Sequence, residues 1–251
     1  MAKKEDIEMP FAQECLVMFS GGRDSWLTSC LLVEQGYKVH LVSFDNSKVI
    51  GSENVAHSAA RLKEAYGEML EFMGTVSIAG IWREFFLPYM SMTPSEVIRE
   101  WGELPASHFN CLTCRSAMYV WAIMKCLSSD IHNIAEGARI AQNWPIMQPG
   151  MIERFRQFLA EYSIELLLPV YDLKSEWTRK NLLLMRNFVP KTLELQCLIG
   201  VPLPFKGTPP DNIQQAVEVF FDKCILPRAR TIIQEQQAIV QGPQSGRDKM
   251  L

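Results

Sequence analysis

Short apolar runs alternate with longer amphipathic stretches along the chain, and this order predicts strands and helices in turn. The predicted strands cover residues 15–19, 38–44, 69–73, 131–135 and 164–170. The predicted helices cover residues 26–32, 53–66, 82–90, 94–101, 112–127, 151–162, 174–186 and 212–237, the last with a kink near Pro227. We therefore predict a doubly wound α/β fold, with a mostly parallel five-stranded sheet, helices on both faces and a C-terminal helical segment.

The first predicted strand runs directly into a polar, glycine-containing turn that precedes a helix. The turn consists of Ser20, Gly21, Gly22, Arg23, Asp24 and Ser25. Its glycines let the backbone approach a ligand closely, and the N–H groups at the start of the helix favour an anion. Arg23 can add positive charge, and the Asp24 carboxylate suits a neighbouring Mg²⁺ ion. The sequence therefore predicts a phosphate-binding turn.

The same turn carries a recognisable pattern. Neither Gly-x-x-x-x-Gly-Lys-Ser/Thr nor Gly-x-Gly-x-x-Gly occurs in the chain. The pattern resembles the Ser-Gly-Gly-x-Asp-Ser signature of the PP-loop ATP pyrophosphatases, with Arg23 in the variable position. The resemblance implies an adenine nucleotide α-hydrolase-like fold, binding of ATP with Mg²⁺, and release of pyrophosphate as AMP is transferred to a substrate.

Two further loops are expected near this turn, because ligands of parallel sheets bind outside the carboxyl ends of the strands. Asp45 follows the second strand and either contacts the ribose or adenine or caps the strand. Gly137 and Arg139 follow the fourth strand, and Arg139 either faces a phosphate or lies in solvent. Lys174 either neutralises charge on the adenylate or begins a helix.

Seven cysteines occur in a chain that we expect to be cytoplasmic, where disulfides are rare. Cys111 and Cys114 form a Cys-x-x-Cys motif that leaves four interpretations: a redox pair, half of a zinc site, part of an iron–sulfur site, or coincidence. Placed at a helix N-terminus, these thiols would have a lowered pKa. Cys197 is the candidate third member of the group, and Cys224 is expected to pack in the core.

The order of the phosphate turn, Cys111, Cys114 and Cys197 resembles the sulfur-inserting PP-loop enzymes, which include tRNA thiouridine and thiocytidine synthetases. The segment 169–176, with Lys174 and Glu176, resembles one that those enzymes carry before their last cysteine. The resemblance implies that the three cysteines hold a [4Fe-4S] cluster, or that Cys111 and Cys197 carry a persulfide without a cluster, with a cysteine desulfurase or sulfide as the sulfur donor. We also expect Asp24 to be catalytic, because its carboxylate would face the metal ion. A resemblance to 7-cyano-7-deazaguanine synthases implies ammonia as nucleophile and a zinc site instead.

Charge and composition restrict the partners. The net charge is −3, and the basic clusters, such as Arg228 with Arg230, are small. Because nucleic-acid binders usually carry a basic excess, we expect a small heterocycle or nucleobase as the acceptor, with tRNA as the alternative. No apolar run has the length of a membrane span, so no membrane partner is expected; a homodimer remains open.

The same pass along the chain suggests how it divides. We expect residues 1–12 to form an N-terminal tail and 13–200 to form the ATP-binding catalytic domain. Residues 201–240 are expected to form a loop and a helix packed on that domain, and 241–251 a disordered tail.

Overall fold

Five parallel strands form the central sheet in the order β4-β2-β1-β5-β6. The computed structural model describes residues 13–47, 49–102, 105–189, 196–198 and 205–241, so the two predicted tails lie almost wholly outside the described residues. The strands are β1 (Glu14–Met18), β2 (Lys38–Asp45), β4 (Leu70–Ser77), β5 (Asn133–Glu136) and β6 (Glu165–Leu167). A separate antiparallel pair joins β3 (Val49–Ile50) to β7 (Gln196–Cys197). The predicted five-stranded parallel sheet is confirmed.

Nine α-helices surround the sheet within the described ranges. They are α1 (Arg23–Glu34), α2 (Ser52–Tyr66), α3 (Ala79–Met90), α4 (Pro94–Trp101), α5 (Ala106–Ser129), α6 (Pro149–Ala160), α7 (Glu176–Leu184), α8 (Asp211–Phe220) and α9 (Leu226–Gln241). The Thr93 side chain and Glu96 form a reciprocal capping box at the start of α4, as the Thr-Pro sequence before that helix suggests. No helix in these ranges is long and apolar enough to cross a membrane.

Two apolar cores cover the two faces of the sheet, because alternate side chains of a strand point to opposite faces. Leu16 and Met18 of β1 belong to the core that includes α5, α6, α8 and α9. Cys15 and Val17 belong to the other, which includes α1, α2 and α7. Every strand β1 side chain from Cys15 to Met18 is buried, which explains the unbroken apolar run in the sequence.

The order of the strands places a crevice beside the phosphate turn. From β1 the chain adds β2 and β4 on one side of the sheet and later β5 and β6 on the other. The strand order therefore reverses between β1 and β5, and ligands of open α/β sheets bind at such a point, outside the carboxyl ends of the strands. The turn after β1 and the loop after β5 border this crevice.

Helix α5 begins six residues earlier than predicted, at Ala106 rather than residue 112. Pro105 precedes the first turn, where its fixed φ suits helix initiation. Phe109 anchors this extension by stacking on Tyr89 at 3.8 Å and meeting Phe220 edge-on at 4.7 Å between ring centroids. Cys111 and Cys114 consequently lie beyond the first turn of the helix.

Two other boundaries differ from prediction at prolines. Strand β6 ends at Leu167, before Pro169, which cannot donate a ladder hydrogen bond. The kink predicted near Pro227 is a π-helical turn at Phe221–Ile225 between α8 and α9. The bulge satisfies the backbone ahead of the proline, where an unbroken α-helix would clash.

Candidate functional site

The turn after β1 is a compact, internally hydrogen-bonded loop that ends at the start of α1. Gly21 has φ +75°, a left-handed conformation that favours glycine. The Ser20 and Ser25 hydroxyl oxygens lie 3.2 Å apart, and the Gly22 N–H donates to Ser20 Oγ at 3.2 Å. The N-cap of α1 is Gly22, which has no side chain to cap the N–H groups of the first turn. This arrangement fits a phosphate group.

Asp24 is held by two arginines from different parts of the chain. Its Oδ2 accepts a hydrogen bond from Arg139 Nε at 2.7 Å, and its Oδ1 accepts one from Arg179 Nη1. Arg139 follows β5, whereas Arg179 lies on α7 and is almost fully buried. The carboxylate, which the sequence assigned to Mg²⁺, therefore serves as the counter-ion of two guanidinium groups in this structure.

A second, exposed ion-pair group lies beside this one. Glu176 accepts a hydrogen bond from Arg23 Nη1 at 2.8 Å and lies 2.8 Å from Lys180 Nζ. Lys180 and Arg23 together lower the pKa of the Glu176 carboxyl to about 2. Lys174 is exposed just before α7, which begins with Ser175 as its N-cap. Arg23 thus pairs with α7, and its role toward phosphate stays a prediction.

The loop after β5 packs directly on the phosphate turn. A Cβ atom at Gly137 would lie 2.6 Å from the Ser25 backbone nitrogen and 2.7 Å from the Asp24 carbonyl carbon. Real Cβ atoms do not approach so closely, so glycine is required for this contact. Asp45 accepts a hydrogen bond from the Ser47 N–H at 2.6 Å through Oδ1. This hydrogen bond is a strand-end cap, one of the two alternative roles predicted for Asp45 from the sequence.

Amide side chains contact two of the three predicted site cysteines. Asn46, which follows β2, donates to Cys114 Sγ at 3.3 Å. Asn110 Nδ2 lies 3.9 Å from Cys197 Sγ, and Cys197 pairs with Val49 in the β3–β7 ladder. Cys197 therefore lies against the N-terminal part of α5, although its chemical role stays a prediction.

The prediction of a lowered pKa for the Cys-x-x-Cys thiols is wrong. Burial raises the pKa of Cys111 and of Cys114 to about 12, and the neighbouring Cys197 thiol adds to the rise in both. The helix dipole acts mainly within the first turn, and these residues lie beyond it because α5 begins at Ala106. Desolvation therefore outweighs the dipole, and both groups are thiols at neutral pH.

The described residues do not fit a preformed metal site. In the ranges that the structure covers, no group of three or more histidine, cysteine or carboxylate side chains is arranged to hold a metal ion. Cys224 lies in the π-helical turn and packs against the helical core, as the sequence predicted. We therefore derive no chemical step through an iron–sulfur cluster or zinc.

A buried ion pair below the crevice joins α5 to β5. Arg115 donates to both carboxylate oxygens of Glu136, and the Tyr119 hydroxyl donates to Glu136 Oε1 at 2.7 Å. Arg115 also donates to the Ile146 carbonyl and lies over the Phe155 ring at 4.8 Å. This network fixes the helix that carries the cysteines to the strand that leads to Gly137.

Sequence reasoning missed four residues of this edge: Asn46, Asn110, Arg115 and Arg179. Arg115 follows Leu112 and precedes Tyr119 at helical spacing, so it lies on an otherwise buried face. Arg179 likewise shares a face with Leu183. An arginine on the apolar face of a helix indicates a buried partner, and this signal was available in both places.

Comparison with known proteins shows similarity in structure alone; no protein-family model and no curated protein matches the sequence. A 4-thiouridine synthetase solved as a complex with RNA and bound ATP is 13% identical with a TM-score of 0.52, over 88% of this chain and 53% of its own. The chain thus spans about half the length of that enzyme.

Two further solved structures match less well. An NMN synthetase from Francisella tularensis is 14% identical, with a TM-score of 0.49 over 90% of this chain and 86% of its own. A predicted subunit of tRNA methyltransferase from Methanocaldococcus jannaschii is 18% identical, with a TM-score of 0.42 over 68% and 73%. Together with the strand order, the similarity to the 4-thiouridine synthetase shows that this chain has an α/β adenine nucleotide α-hydrolase-like fold.

Proposed function

We propose that this protein is an ATP-dependent sulfurtransferase that replaces a carbonyl oxygen of a heterocycle with sulfur and releases AMP and pyrophosphate. The observation that carries the proposal is the meeting of two groups at one sheet edge. The phosphate turn follows β1, and Asn46, which contacts Cys114, follows the adjacent strand β2. Cys197 reaches the same region through its ladder with β3.

The proposed nucleotide site consists of the phosphate turn and the loops around it. The first-turn N–H groups of α1 and the hydroxyls of Ser20 and Ser25 face the phosphates. Asp45, Gly137, Arg139 and Lys174 complete the proposed set. Mg²⁺, when bound, neutralises charge on the departing pyrophosphate.

The chemistry proceeds in three steps. The acceptor's carbonyl oxygen attacks the α-phosphorus of ATP, and the bond to pyrophosphate breaks. The terminal sulfur of a cysteine persulfide then attacks the activated carbon, and the C–O bond to AMP breaks. A second cysteine thiol attacks the inner sulfur, which frees the thiocarbonyl product and leaves a disulfide. When a cysteine desulfurase supplies the sulfur from its own persulfide, an external thiol reductant first restores the two cysteine thiols. When sulfide supplies the sulfur, it attacks the disulfide itself, which regenerates one persulfide and one thiol without a reductant.

The acceptor is proposed to be a small heterocycle or nucleobase, with RNA as the alternative. The net charge of −3 favours a small molecule, whereas the 4-thiouridine synthetase neighbour was solved with RNA. Electrophoretic titration with bulk tRNA at near-physiological salt separates these. Micromolar binding that weakens steeply with salt would overturn the small-molecule acceptor.

Product analysis tests the first step. ATP turnover should give AMP and pyrophosphate in equal amounts, and stoichiometric ADP would overturn the proposal. Cys197→Ser should abolish sulfur transfer yet retain exchange of labelled pyrophosphate into ATP, because adenylation precedes sulfur attack. Cys126→Ala is the matched control, since Cys126 is buried in the core at the far part of α5.

A further inference from the structure

The starting observation is that Asp24 holds two arginines that the chain brings from separate elements. Arg139 comes from the loop after β5 and Arg179 from the first half of α7. The side chain of Asp24 is 21% exposed, whereas that of Arg179 is only 6% exposed. The carboxylate thus faces the crevice, and the guanidinium group behind it is nearly dehydrated.

The cluster is unbalanced in charge, with two guanidinium groups for one carboxylate. Each guanidinium group presents several N–H donors in a fixed plane, and Asp24 occupies only part of this capacity. The first-turn N–H groups of α1 add donors beside the same carboxylate. The site therefore offers more donors than its own carboxylate can use.

We propose that Asp24 is an internal counter-ion for Arg139 and Arg179, and that a pyrophosphate group takes its place on both arginines when nucleotide binds. The proposal rests on the proposed use of ATP at Ser20–Ser25, and it assigns Arg179 as a pyrophosphate-binding residue. Bidentate recognition of phosphate oxygens is the interaction that guanidinium groups form best.

Pyrophosphate suits the geometry better than a single phosphate. The two arginines bind different oxygens of Asp24, so one carboxylate already needs both of its oxygens to reach them. An anion with two linked phosphate groups can contact both arginines and the turn N–H groups at once. Displacement of Asp24 also frees its carboxylate for the Mg²⁺ role that the sequence suggested.

Calorimetric titration with inorganic pyrophosphate, without divalent cations, tests the exchange directly. Asp24→Asn should bind pyrophosphate about tenfold more tightly than the wild type, because the competing charge is gone while the amide keeps the shape. Arg179→Gln should bind about tenfold more weakly, since one charge-assisted contact is lost. A purely structural role for Asp24 predicts no gain in affinity.

The matched control is Arg186→Gln. Arg186 follows α7 and pairs with Glu34 at 2.5 Å, away from the phosphate turn. The Arg186→Gln variant should therefore bind pyrophosphate with the affinity of the wild type. If Arg179→Gln fails to fold, Arg179→Lys keeps the charge and should show intermediate affinity.

Equal affinity of Asp24→Asn and the wild type, or undiminished binding by folded Arg179→Gln, would overturn the proposal. The titration contains neither ATP, acceptor nor sulfur donor. Loss of AMP formation in the activity assay would therefore overturn the proposed function without affecting this result. Conversely, unchanged pyrophosphate affinities in the variants would overturn the counter-ion role of Asp24 without affecting the proposed function.

Discussion

Two arginine–carboxylate clusters lie at the same end of the sheet, and they differ in how completely the protein satisfies them. In the Arg115–Glu136 cluster, both partners are buried, and Tyr119 and the Ile146 carbonyl use further donor and acceptor positions. In the Asp24 cluster, two arginines share one carboxylate that faces the crevice.

The difference separates a structural network from the anion-binding site that we propose. A buried ion pair whose hydrogen bonds are all formed within the protein gains nothing from a ligand. Removing one partner of such a pair leaves a buried charge without solvent or counter-ion. A cluster with excess donors at an open edge can exchange its own anion for another. Similar residue types thus serve stability in one place and, in our proposal, anion recognition in the other.

The largest effect on stability is expected from the buried Arg115–Glu136 cluster. Glu136→Gln should lower the free energy of unfolding by about 3–5 kcal/mol, because Arg115 then stays buried without a counter-charge. Urea denaturation measures the change. Replacing both partners, as Arg115→Met with Glu136→Leu, should recover much of the loss. A Glu136→Gln cost no greater than that of Asp24→Asn would remove the distinction between the two clusters.

Gly137 joins the two clusters, so its substitution sharpens the comparison. Gly137→Ala should cost about 1–3 kcal/mol of stability and weaken ATP binding, because the new Cβ pushes the loop off the α1 turn. Gly80→Ala is the control: nothing lies within 4 Å of its Cβ position in α3, and alanine should stabilise that helix slightly. Urea denaturation should show a loss of stability for Gly137→Ala and a slight gain for Gly80→Ala. Nucleotide titration should show weaker ATP binding for Gly137→Ala only.

The smallest effect is expected at the exposed Arg23–Glu176 pair. Arg23→Gln should leave the urea midpoint at pH 7 nearly unchanged, because solvent screens an exposed ion pair. Whatever the pair contributes is present above about pH 4.5, where an unfolded glutamate is ionised, and is lost as the pH falls toward about 2. A loss of stability in Arg23→Gln as large as that in Glu136→Gln would contradict the expectation that buried ion pairs contribute more than exposed ones.

The fold was predictable because its central strands β1 and β2 are buried on both faces and its turn chemistry is local. The β1 run and the glycine turn after it carry their signals within a few residues, and Thr93 with Pro94 marks the start of α4. The start of α5 was missed because Phe109 is anchored by Tyr89 and Phe220, which are distant in sequence.

The candidate site was less predictable, since its side chains are defined by partners rather than by pattern. The type of Asp24 suggests a metal ligand, and only the approach of Arg139 and Arg179 shows its other use. The raised thiol pKa values of Cys111 and Cys114 follow from burial, which the motif itself does not encode.

The β3–β7 ladder has a consequence for how the molecule matures. It pairs Val49, from the first quarter of the chain, with Cys197, which is synthesised much later. Contacts between such distant positions form slowly, and on a growing chain they must wait until the later segment emerges. The pairing of Cys197 with Val49 is therefore expected among the last contacts to form, after the strands that precede Cys197 in the chain have been synthesised.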